Sequence, residues 1–463
     1  MLTFFNIIEA LKPISHTVTD FGQITTGFSI DTRTLKPGNI FVALQGEVSH
    51  GNAFVDQAVA KGAVAVMTDQ ALTTSIPVIV VSDSLAALSK IAEHQRGQFK
   101  GRVCGVTGTV GKTSVKEALG FLIQALGLKA HISDKSHNNH IGVPLTLANL
   151  NSTADIAVVE IGMNNPGEIY PLAKLTHPNV AIVTSIGPGH IETFQGVEDI
   201  AKEKISIAAG LSEGGIAILP RDSEFFDLMQ ETVIHQYKRE VVSFGRTTKA
   251  DVQLVSSETI STNVVQITAR VFDLEVSYEL PSSNYGWVNN SLAVLAALHV
   301  LRVDVIKAAA YLKSLPIVQG RGRVYSINFN GKKITLIDDA YNANPVSMTA
   351  ALENLSSYRG RKIAVIGDMR ELGAFSEQYH KELGQLCEKL PIDGVLACGP
   401  DMQYAFDCLS SSKQLAHVGE YTGVLDVLSD KLQDGDVVLF KASNGTKLYQ
   451  VVANILESAK PMN

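Results

Sequence analysis

The stretch CGVTGTVGKTS, residues 104–114, gathers the residue types that hold a phosphate. Gly105, Gly108 and Gly111 permit a turn whose backbone N–H groups point inward. Lys112 adds a point charge for β- and γ-phosphates. Thr113, followed by Ser114, offers a hydroxyl to Mg²⁺ at the start of a helix, where the dipole favours anions. The common GxxxxGK[ST] spacing asks for glycine at 106 and finds Val106. The setting is still that of a phosphate loop: RVCGV reads as a short apolar strand and KTSVKEALGFLIQALG as a helix. A glycine-rich turn that binds nothing is the competing reading. It accounts for the glycines but not for the lysine, the hydroxyl and the flanking strand and helix.

Kinases, GTPases, ATPases and ligases all use such a loop, so the metal ligands carry more information. Mg²⁺ needs further oxygens. Glu160 ends the apolar strand ADIAVVEIG, which delivers an acid to the C-terminal edge of the sheet, where open α/β sheets bind ligands. The plain alternative is a loop carboxylate. His190, in TSIGPGHIETFQG, follows another apolar strand and should reach the same edge, although a lone histidine is more often structural. Lys204 lies in the helical pattern EDIAKEKISI. A buried lysine can lose its proton and become reactive, whereas a KEK run on a solvated face does neither.

These residues need a scaffold, and the 463-residue chain offers about three domains at ~150 residues each. The fold class is α/β in three parts. Residues 1–99 form a small α/β domain, with strands in NIFVAL, AVAVMT and PVIVVSD, a helix in AFVDQAVAKG stopping at Gly62, and a helix through Lys90 ending near Gly97. Residues 100–316 form a central P-loop domain with a mostly parallel sheet, a β-hairpin over 250–281 and a closing helical stretch. Residues 317–463 repeat strand, loop and helix in a Rossmann-like pattern. Net charge is −7, which argues against nucleic acid as the main partner. The four cysteines show no CxxC and no zinc spacing, consistent with reduced thiols in a cytoplasmic protein. No run of about 20 apolar residues suggests membrane insertion, and the N-terminus lacks the basic region and cleavage site of a signal peptide.

Together the pieces resemble the Mur ligase family, the ATP-dependent amide-forming group that builds the peptide of bacterial cell-wall precursors. The family loop reads GxxGTxGKT, matched here by Gly105, Gly108, Thr109, Gly111, Lys112 and Thr113, so Val106 is a family trait. HNNHIGVPLTL and EIGMNNPGEI match further stretches. DDAYNANPVSMTAAL and IGDMRELG are similar to the members that add D-alanyl-D-alanine, and the resemblance covers essentially the whole chain. It implies ATP, two Mg²⁺ ions and a carbamoylated lysine, best aligned with Lys204 and otherwise with Lys202. It also implies UDP-N-acetylmuramoyl-tripeptide and D-alanyl-D-alanine as substrates, and a monomer.

By the same resemblance, Lys112 and the loop through Ser114 hold ATP, and Thr113, Glu160, His190 and Lys204 organise the metals. Asn290 meets adenine, Arg321 reaches ATP when the third domain closes, and Asp338, Tyr341 and Asn342 line its ATP-facing loop. Asp31, Thr32, Arg33, Gly46, His50, Asn138, Asn139 and Asn344 bind substrates. Asn344-Pro345 is equally a helix start, with asparagine as cap. NYGWVNN lacks the histidine common in the family, and KASNGTK replaces LVKGSRSM, so Ser443–Lys447 stay outside the site. The rivals are another Mur-type or folylpolyglutamate-type ligase and a non-ligase P-loop ATPase. No guanine-reading NKxD is present. Lys112→Ala is expected to abolish nucleotide-dependent turnover with the fold intact, measured by steady-state rate and circular dichroism; wild-type turnover would remove the loop from the chemistry.

Overall fold

The computed structural model describes residues 2–134, 137–261, 264–281 and 285–461. Asn284 of the NYGWVNN stretch lies outside them. Three sheets form, one from each part of the chain. The first runs, edge to edge, Ser15–His16, Val78–Val80, Ala65–Thr68, Asn39–Val42 and Gly27–Ser29. Its strands are parallel except for the Ser15–His16 edge. Helix Phe4–Leu11, not anticipated from the sequence, starts on a Thr3/Asn6 capping box and buries Phe4, Ile7 and Leu11. The helix Ser84–Gln98 is capped by Asp83.

The central sheet has nine strands. Arg102–Thr107 lies between Ile156–Glu160 and Val180–Val183, all parallel. Chain order reverses about that strand, so the crevice at its C-terminal end is a topological switch point. Each of these three strands is buried along nearly its whole length, which is why they read as unbroken apolar runs. The hairpin expected over 250–281 is instead a three-stranded antiparallel meander, Val252–Ser261, Val264–Val271 and Leu274–Leu280. The turn between the last two strands contains Phe272 at φ 52°, with no glycine or proline to mark it in the sequence. The meander leads into helix Tyr285–Val300, which returns over the sheet.

The third sheet is ordered Gln414–Val418, Gly394–Cys398, Lys362–Gly367, Val437–Lys441, Lys332–Asp338, Arg323–Phe329 and Lys460–Pro461. The first five strands are parallel and the last two antiparallel. The parallel part is the expected Rossmann-like pattern; the antiparallel edge adds to it. No helix among the described residues is long and apolar enough to cross a membrane.

The first and central sheets are joined by a side-chain amide that imitates a strand. Asn149 accepts from Phe28 N at 2.8 Å and donates to Phe28 O at 3.0 Å. Gly27 leaves room for it, because a Cβ there would overlap the Asn149 carbonyl oxygen. Arg96 adds a second tie by donating to the carbonyls of Thr176 and His177. Apolar packing runs on from the first sheet into the central one. Asn149→Ala strands the buried Phe28 N–H and is expected to cost about 1–3 kcal/mol, seen as a lower unfolding midpoint in calorimetry; an unchanged midpoint would mean that water replaces the amide without loss.

Candidate active site

The strand Arg102–Thr107 ends in the glycine loop, and the helix Lys112–Ala125 follows at once. Gly108 has φ 146° and Gly111 φ 90°, and a Cβ at either would overlap a neighbour, the Thr184 hydroxyl and the Asn290 carbonyl oxygen respectively. The loop is pinned from the adjacent strand end. Thr109 N donates to Ser185 O at 2.9 Å, Val110 N to Ser185 Oγ at 3.0 Å, and Thr109 Oγ1 to Gly187 O at 3.0 Å. Gly111 provides no side-chain cap, so the first N–H groups of the helix are left for an anion. Lys112 Nζ donates to Gly108 O at 2.7 Å, which holds the ammonium over the loop. Burial pulls its pKa down and Arg321 adds to that, while Glu160 opposes.

Glu160 is 1% exposed. Its Oε1 accepts from Asn138 Nδ2 at 2.9 Å and from Thr113 Oγ1 at 3.3 Å. Its Oε2 is buried with no hydrogen-bond partner, and the nearest cation, Lys116 Nζ, stands 3.9 Å away. An ion pair at that separation does not replace a hydrogen bond. An orphaned buried carboxylate oxygen beside a threonine hydroxyl is an oxygen donor set of the kind Mg²⁺ takes. Thr113 and Glu160 therefore fit a Mg²⁺ ion. Among the described residues, however, no three His, Cys, Asp or Glu side chains converge into a ready-made metal cluster. Any further ligands have to come from phosphates, water or a modified side chain.

The two lysines weighed in EDIAKEKISI separate sharply. Lys202 is 55% exposed and paired with Glu198 at 2.7 Å. Lys204 is 2% exposed, and among the described residues its amine has no hydrogen bond or ion pair. Burial drives the Lys204 pKa well below the ordinary lysine value, and the Lys112 charge adds to this against Glu203. Glu203 is itself committed to the backbone N–H groups of Gly167 and Ile169. Lys204 is thus the lysine that can present a neutral, nucleophilic amine.

The third sheet meets the loop directly. Arg321 Nη2 donates to Thr113 Oγ1 at 3.4 Å, and its guanidinium lies over the Tyr341 ring at 4.3 Å. His190, at φ 60°, pairs through Nδ1 with Glu371 Oε2 at 2.7 Å. The hydrogen bond from His190 holds the Glu371 carboxyl below its usual range. Val346 packs where a Cβ on Gly187 would sit, so the start of helix Pro345–Ser356 lies against the loop's own support.

Other residues singled out in the sequence have backbone duties. Asp338 is 2% exposed and accepts from the N–H groups of Gly320 and Ala340, so it shapes the Arg321 turn. Asn342 spends its side-chain oxygen on Ala343 N. Asn139 accepts from Ile141 and Gly142, and Asn344 caps Pro345–Ser356 with Ser347. Ser114 is buried in the first turn. In the first sheet's loops Asp31 pairs with Arg33, Thr32 donates to Gln57, Gly46 N donates to Ser49 O, and His50 Nε2 meets Asp69 at 2.9 Å. Asn290 abuts Gly111, but the buried acceptor without a partner is Asn289 Oδ1, one residue earlier.

Two residues were missed. Lys116 is fully buried, donating to Ser133 O at 2.8 Å and pairing with Glu117 at 2.9 Å. A signal existed: it falls three before Leu119 and seven before Ile123, on the apolar stripe of its helix. Glu371 gave no such signal, since only the tertiary fold brings it to His190.

Comparison with known proteins finds matches over most of the chain. The Mur ligase middle domain matches residues 106–298, the Mur ligase glutamate ligase domain 320–444, and the Mur ligase family catalytic domain 25–96. The chain is 32% identical to the UDP-N-acetylmuramoyl-tripeptide–D-alanyl-D-alanine ligase of Bacillus subtilis, over 98% of each chain. It is similar to a crystal structure of MurF from Acinetobacter baumannii (TM-score 0.88, 28% identity, 98% of this chain and 99% of that one). MurF ligase from Thermotoga maritima in complex with ADP gives a TM-score of 0.79 at 29% identity, covering 93% of this chain and 97% of that one. For the two lysines the expected outcome is asymmetric: Lys204→Ala should lose most turnover and Lys202→Ala little, by initial rates at saturating nucleotide. The reverse order would place the reactive amine on the exposed face.

Proposed function

The chain belongs to the Mur ligase family, and we infer that it joins D-alanyl-D-alanine to UDP-N-acetylmuramoyl-tripeptide at the expense of ATP, in peptidoglycan precursor synthesis. The observation that carries this is the convergence on Thr113 of Glu160 from the central sheet and Arg321 from the third. A ligase needs such a junction, because the nucleotide is bound by one body and completed by another. The relatives named for this reaction match over nearly the full chain.

The loop amides and Lys112 bind the phosphates and take up charge as the γ-phosphoryl group passes to the terminal carboxylate of the tripeptide. Arg321 adds a cation from the third sheet only while the seam is closed. The acyl phosphate is then attacked by the dipeptide amine. The tetrahedral adduct collapses with loss of phosphate, leaving pentapeptide, ADP and phosphate. Closure also excludes water, which would otherwise hydrolyse the acyl phosphate. Thr113 and Glu160 would hold a first Mg²⁺. His190 and Lys204, carbamoylated by CO₂ on its neutral amine, would serve a second. The ions supply positive charge and a template for the phosphate oxygens.

Division at 99/100 and 316/317, a monomeric state and a cytoplasmic location complete the proposal. The first is supported by the sheets and by the family-domain matches at 25–96, 106–298 and 320–444. The test is phosphate release from ATP and Mg²⁺ with each acceptor alone and with both. Release only with both, together with pentapeptide, is expected; release indifferent to both would make the protein an ATPase with another partner.

A further inference from the structure

His190 and Glu371 stand out at the seam. They come from different sheets' loops, both have left-handed backbone (φ 60° and 65°), and they meet at 2.7 Å. The contact is reinforced on each side. Glu192 N donates to Glu371 O at 3.2 Å, and Gly373 lies so close to Glu192 that a Cβ would come within 2.8 Å of the Glu192 Cβ. The carboxylate only accepts, so it selects the tautomer with the proton on Nδ1 and the lone pair on Nε2. Among the described residues nothing hydrogen-bonds to Nε2. A carboxylate holding the far nitrogen of an imidazole whose other nitrogen is free is the arrangement that fixes a metal-binding histidine in tautomer and orientation.

We propose that Glu371 is a positioning residue supplied across the domain seam: it aligns His190 for the second Mg²⁺ only when the third sheet has closed on the central one. Metal affinity at that position then depends on closure, and the reaction centre is incomplete until the third sheet has arrived. This rests on the reading of His190 as a metal ligand given above. Glu371 is half-exposed, at the surface of the seam.

The experiment is titration of Mn²⁺ into the full-length protein with ADP and UDP-linked tripeptide, read by electron paramagnetic resonance, alongside the Mg²⁺ dependence of turnover. Glu371→Ala should weaken the His190-dependent ion by about 10-fold or more and raise half-saturating Mg²⁺ to match, leaving the KM for D-alanyl-D-alanine unchanged. Glu371→Gln, whose amide oxygen still accepts, should recover most of the affinity. In a His190→Ala background Glu371→Ala should add nothing further. Wild-type Mn²⁺ affinity in Glu371→Ala, or losses that add in full to those of His190→Ala, would overturn this inference alone. A native protein with no His190-dependent ion would overturn it and the two-metal reading together.

Discussion

An excess of positive charge governs the active site. Lys116 and Lys204 are buried and Lys112 half-buried beneath or beside the phosphate loop, Arg321 approaches from the third sheet, and Glu160 is the carboxylate at their centre. Glu117 answers only Lys116, and Glu203 is tied to backbone. Burying like charges together is unfavourable unless anions arrive or protons leave. Both outcomes are written into the site. Lys112 and Lys204 have depressed pKa values, and the open N–H groups of the helix beneath the loop add to the attraction for phosphate. The same imbalance favours a polyphosphate in the site.

Two of the buried polar atoms without a partner bear on the site. Glu160 Oε2 lacks a donor where a cation fits, and Asn289 Oδ1 lacks one in the residue before Asn290, which abuts Gly111. Other polar side chains are committed to the fold. Asp338, Asn139 and Asn344 each satisfy backbone N–H groups. Residues of one chemical type thus divide between duty to the fold and availability to a substrate, and only hydrogen-bond accounting tells them apart.

That division also sets what the sequence could reveal. The loop, Glu160 and His190 could be expected at one edge from the sequence because each follows a buried parallel strand, and such strands announce themselves as apolar runs; Lys204, in the helix Val197–Ile205, was singled out by the family resemblance. Burial then separated Lys204 from Lys202, two residues apart on opposite sides of one helix. Asp338, Asn342 and Asn139 were expected as ligand contacts, and their backbone partners could not be foreseen, because a capping or turn-forming side chain has the same composition as a binding one. Lys116 hid in a KE pair that looks solvated. The meander escaped because its second turn uses a left-handed phenylalanine rather than glycine. Glu371 could not be read at all, since its meaning lies in a contact between loops of two sheets.

The Asn149 clamp has a consequence for the edge of the first sheet. It ties Phe28 to the end of helix Gly142–Ala148 through side-chain bonds to both the N–H and the carbonyl of one residue, at 2.8 and 3.0 Å. A strand edge otherwise carries a row of unpaired groups that another chain can template upon. Here one amide occupies the place of that neighbour, so the edge at Phe28 is already taken when a second strand approaches.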